Sequence, residues 1–136
     1  MLFRSAGPDA ANPRRENTNG QVLELIEDRS DPTATTFGWS LLLVCGDPKA
    51  ADTYYGGFPK DQVSAISCPD NLAFDPTHGH LWVSTDGNAL DSNDGLFAVS
   101  LAGADRGRTK QFLTVDRKST RLNSSHSGES RMPSSA

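Results

Sequence analysis

The sequence predicts an all-β chain, and three observations carry that expectation. Apolar residues come in short runs bounded by Gly, Pro, Asn and Asp. Where a period is visible, as in Leu96–Leu101, it is two. No stretch of 1–115 repeats apolar residues at helical spacing.

The first strand-like runs are Gln21–Asp28 (QVLELIED) and Trp39–Cys45 (WSLLLVC), a hairpin joined by the polar DRSDPTATTFG. QVLELIE is also compatible with a helical turn, but Gly20 before it and Asp31-Pro32 after it leave too little length. Residues 47–62 read as a loop, long for a connector and therefore a place for function. NLAFD and HLWVSTD flank PTHG, whose proline and glycine suit a tight turn. Leu96–Leu101 places Phe97, Val99 and Leu101 on one face, and Lys110–Val115 supplies a last strand. Two strand pairs thus follow one another, each opening at a glycine (GQVLELIED…WSLLLVCGD, then GLFAVSLAG…KQFLTV). Repetition at several tens of residues is the range of propeller blades. About two blades cannot close a ring, so the sequence reads as a partial β-propeller.

The 136 residues hold 13 basic and 17 acidic side chains, net −4, which is not the basic footprint of a nucleic-acid binder. No apolar run is long enough to span a bilayer, and MLFRSAGPDAANP lacks the apolar core of a signal peptide. From Asp116 the composition turns serine-rich and almost devoid of large apolar residues, as in a disordered tail. DRKSTRLNSSH and SRMPSSA look like the translation of a sequencing-library adapter, with SGE where an index would lie. The expected organisation is a propeller segment over 1–115 and a non-native tail over 116–136. Without that tail, 1–115 carries 9 basic and 15 acidic residues, net −6, which favours a cation as partner.

Two cysteines make no disulfide framework: Cys45 in LLLVCG suits a small buried hydrophobe, while Cys68 sits in the loop-like SCPDN. Asp70 and Asn71 offer hard oxygen ligands to a cation such as calcium, or an Asx-turn leading into the strand. The acidic loop Asp86, Asn88, Asp91, Asn93 and Asp94 lacks the spacing of an EF-hand and reads as a solvated connection. Asp86 is its member best placed to face a site. His78 and His80 read as exposed turn residues, and Trp39 and Trp82 as core or blade-packing residues.

NPRREN, residues 12–17, concentrates charge before the first strand. One reading is a solvated loop. The other is an extended segment on which Arg14 and Glu16 point the same way. An arginine fork matches phosphate oxygens and a glutamate can hold a cation beside it, the pairing that phosphoryl transfer uses.

Taken in order, PDAANPRREN, GQVLELIEDRSDPTATTFGWSLLLVCGDP, CPDNLAFDPTHGHLWVSTDG and GLFAVSLAG resemble the PhoX-type alkaline phosphatases. These elements span most of residues 8–103. The resemblance implies a six-bladed propeller with an axial iron and calcium cluster, hydrolysing phosphate monoesters. It implies export to the periplasm or beyond by the twin-arginine route, and a monomer as the full-length form. Carried over, Arg14 grips the substrate phosphate, Glu16 is a cluster ligand, and Asp70 and then Asn71 are the next metal candidates. The family's serine before PDNL is Cys68 here, and its remaining ligands have no counterpart in this chain. The chain alone is therefore expected to bind metal poorly and to lack phosphatase activity. A calcium-dependent lactonase-type propeller would also account for CPDNLAFDPTHGHLWV, though not for Arg14 and Glu16, and a non-catalytic binding propeller would make the acidic loops mere rim.

Overall fold

The computed structural model describes residues 8–87 and 89–115. The expected tail at 116–136 lies outside them. Among the described residues, regular structure is strand plus three 3₁₀ turns of three residues each, in two antiparallel sheets.

The first sheet has the order β1-β2-β3, with β1 at Gln21–Glu27, β2 at Phe37–Val44 and β3 at Tyr54–Tyr55. Alternation along QVLELIE turns Val22 into the core opposite Leu43 and sets Leu25 opposite Trp39 on the other face. Leu42, Leu43, Val44 and Cys45 are all buried, because both faces of the sheet are covered at this end of β2. β3 is a strand inside the stretch expected to be loop. Two residues are too few to show a period, and they pair with Leu43 and Val44.

The second sheet is an up-and-down meander, β4-β5-β6-β7, at Pro69–Asp75, His80–Thr85, Gly95–Ser100 and Thr109–Thr114. Four antiparallel strands in sequence order are the form of a propeller blade. The β4–β5 turn is set by Asp75, whose Oδ1 accepts from the backbone N–H of Thr77 at 3.0 Å and of His78 at 3.2 Å. Phe97 and Val99 face inward from β6, with Leu101 packed beside them.

Strand limits shift by one or two residues from those expected, and one shift matters. Pro69, Asp70 and Asn71 belong to β4 itself, not to a loop ahead of it. Trp39 is 46% exposed, so it is no core residue of this chain, whereas Trp82 packs edge-on against Phe112 with centroids 5.3 Å apart.

The sheets meet over Val22, Leu43, Tyr55, Ile66, Val83 and Val99. Burial of this apolar surface is the main force joining them. Arg106 adds a fork across the junction, donating to Glu24 Oε2 at 2.8 Å and Oε1 at 3.2 Å. Gly107 has φ +85° and lies against the Tyr55 carbonyl, where any Cβ would collide.

Candidate functional site

The start of β1, the end of β2, the start of β4 and the end of β5 gather at one end of the two sheets. Cys45 N–H donates to the Gly20 carbonyl at 3.0 Å, Cys68 N–H to the Asn19 carbonyl at 2.8 Å, and Asp86 N–H to the Cys68 carbonyl at 3.1 Å. Ser67 Oγ donates to Asn19 Oδ1 at 2.9 Å. The loop of NPRREN is thereby stitched to the CPDN stretch, and the two sequence-predicted half-sites share one end of the fold.

Arg14 lies within that junction. Its Nε–H donates to Asp52 Oδ2 at 2.8 Å, and its Nη2 to the Asp52 carbonyl at 2.8 Å. Its Nη1 donates to Asn17 Oδ1 at 3.0 Å and the Cys45 carbonyl at 2.8 Å. Asn17 Oδ1 also accepts from Gly20 N–H at 3.1 Å, tying the arginine to the entrance of β1. The arginine side chain is 12% exposed and Asp52 61% exposed. A guanidinium has five N–H groups, so these four bonds leave one N–H on Nη2 without a partner among the described residues.

NPRREN is not extended. Glu16 has φ +51°, a left-handed turn conformation, so the two-residue alternation expected to align it with Arg14 does not apply. The Glu16 side chain is exposed while Arg14 is drawn inward.

Asp70 and Asn71 occupy a β-bulge: β4 advances three residues from Pro69 to Leu72 while β5 retreats two, from Thr85 to Val83. Both are exposed, and Asn71 Nδ2 donates to Asp70 Oδ2 at 2.5 Å. Cys68 before them has φ +52°. The bulge breaks strand alternation where the chain leaves the Asn19 clamp, which re-aims Asp70. A groove of about 200 Å³ lies beside it, bounded by Gln21, Leu23 and Leu72.

In the acidic loop, Asp86 is exposed and Asp94 is the buried member. Asp94 Oδ1 accepts from Gly87 N–H at 2.9 Å and Thr85 Oγ1 at 3.2 Å, so it braces the loop. Asn88 lies outside the described residues. His78 is exposed, and its Nδ1 lies 2.8 Å from Asp75 Oδ2. That hydrogen bond holds the Asp75 carboxyl below its ordinary value.

Among the described residues, no three His, Cys, Asp or Glu side chains converge as a metal-binding group. Glu16, Asp70 and Asn71 are hard donors of the right chemistry, but by themselves they do not fit a metal site. Cys45 is no ligand candidate: burial pushes its thiol up to about 12, although the Arg14 charge pulls the other way. Asp52, Asn17 and Asn19 escaped the sequence reading because they act through contacts set by tertiary structure, with no local pattern of their own.

The family model described as alkaline phosphatase PhoX matches residues 4–131. The chain is also similar to a solved structure, "Pseudomonas fluorescens PhoX in complex with vanadate, a transition state analogue", at 28% identity and a TM-score of 0.62. The match covers 82% of this chain and 20% of that one, so the chain spans about a fifth of that relative's length. No curated protein matches the chain. The family match decides between the readings that CPDNL and HLWV left open: the chain belongs to the alkaline phosphatase PhoX family.

Proposed function

We propose that this segment supplies the phosphate-gripping arginine, and part of the oxygen-donor set, of a metal-dependent enzyme hydrolysing phosphate monoesters. The observation that carries the reading is the family match over 4–131. The vanadate complex of the similar Pseudomonas fluorescens protein supports it, since vanadate there is a transition state analogue. Arg14 is the group for the phosphate: it is always charged, held by four bonds, and retains one N–H to offer. Glu16 and Asp70, with Asn71 beside Asp70, carry the oxygens this chain would contribute to the calcium and iron that the family resemblance implies. No metal-binding group of three converges among the described residues, and the chain spans about a fifth of the similar protein, so the 136-residue chain alone is expected to be inactive. The full-length protein works as a monomer in the periplasm or outside the cell. Its substrate is a small phosphate ester, with no nucleic acid or membrane as partner.

The test compares aryl phosphate turnover by the metal-loaded full-length protein and by the 136-residue chain under the same conditions. Turnover is expected from the first and none from the second. Strong metal-dependent turnover by the chain alone, or none by the full-length protein, contradicts the reading.

A further inference from the structure

Asp52 holds Arg14 in a way the sequence gives no hint of, across 38 residues of chain. Its carboxylate accepts from Nε and its own backbone carbonyl accepts from Nη2, so one residue occupies a whole edge of the guanidinium. Asn17 and the Cys45 carbonyl take both N–H groups of Nη1. A planar group fixed on three sides cannot rotate, and the direction of its last N–H is set. A phosphate oxygen met by this arginine is therefore met by a single Nη2 donor, not by a two-pronged fork.

We propose that Asp52 is the positioning residue that aims Arg14 at the substrate phosphate, an inference that rests on the reading of Arg14 as the phosphate-gripping residue. The Asp52 carboxylate is largely in solvent, whereas the arginine it holds is nearly buried. Solvent screens its charge, and its effect is chiefly directional. Loss of the side chain leaves the backbone acceptor in place but releases Nε, letting the guanidinium swing about its remaining partners.

The test is a double-mutant cycle in the metal-loaded full-length protein, read by kcat, KM and inhibition by orthovanadate. Asp52→Ala is expected to lower kcat about thirtyfold with KM changed less than threefold, as an ångström-scale misplacement of a catalytic group does. Arg14→Ala is expected to lower kcat/KM about a hundredfold or more. In the Arg14→Ala background, Asp52→Ala is expected to add nothing, because its effect passes through the arginine. Asp52→Asn keeps an oxygen acceptor and is expected to recover most of kcat. If Asp52→Ala does not fold, Asp52→Ser, whose hydroxyl is too short to reach Nε, goes through the same cycle with the same expectation. Equal losses from the Asp52 variant in both backgrounds would overturn the positioning role, since that is what a merely structural residue gives. Wild-type activity in Asp52→Ala beside a crippled Arg14→Ala overturns the inference and leaves the arginine's role standing. Full activity in Arg14→Ala overturns both.

Discussion

Arg14 and Cys45 are neighbours through one hydrogen bond, yet their chemistry is opposed. The arginine donates to the carbonyl and carboxylate oxygens that surround it. The thiol keeps its proton because it is buried, its titration moved from 9.0 to about 12. Burial raises the Tyr55 hydroxyl in the same direction. A folded-state value above the unfolded one means that stability is fully present below about pH 9 and is lost as pH climbs toward about 12. The slope for one such proton is about 1.4 kcal/mol per pH unit. Urea unfolding of the chain between pH 8 and 11 should show this decline, and Cys45→Ala should flatten it. The sequence identified Cys45 as buried from its apolar run, and Arg14 as chemically special from its position before GQVLEL. It did not reveal the inward turn of Arg14, which depends on a left-handed Glu16 and on an aspartate far along the chain.

At the scale of elements, β3 and the β4 bulge are where local pattern gave way to tertiary structure. Tyr54–Tyr55 becomes a strand because β2 offers an edge and because the Tyr55 hydroxyl donates to the Gly46 carbonyl at 2.7 Å. Tyr55→Phe removes that buried hydrogen bond and should cost about 1–3 kcal/mol, measurable by urea denaturation. Leu43→Ala opens a cavity where the two sheets meet and should cost about 2–5 kcal/mol. The four-stranded meander was largely legible, since PTHG and the alternation after Gly95 are local signals. The bulge at Asp70 was not, because a bulge is a mismatch between two strands and neither strand shows it alone.

At the scale of the whole molecule, apolar faces are exposed among the described residues. Leu23, Leu25, Phe37 and Trp39 lie on one face of the first sheet, all exposed, with Leu25 at 60%. Phe112, at 71%, is exposed on the second. Contiguous faces of this kind drive association. Light scattering of the 136-residue chain should therefore show concentration-dependent self-association, and Leu25→Ser with Trp39→Ser should reduce it. The all-β character and blade-like repeat could be read from the sequence, and the family followed from motifs in order. The joining of NPRREN to CPDN could not, because Asn19 makes that link with backbone and side-chain bonds that leave no pattern.

Whether Arg14, aimed by Asp52, meets the phosphate through its last Nη2–H can be seen in a crystal structure of the full-length protein with vanadate. Nη2 is expected about 2.7–3.0 Å from a vanadate oxygen, with Nε still on Asp52. Vanadate bound with Arg14 turned away from it would overturn this role for the arginine.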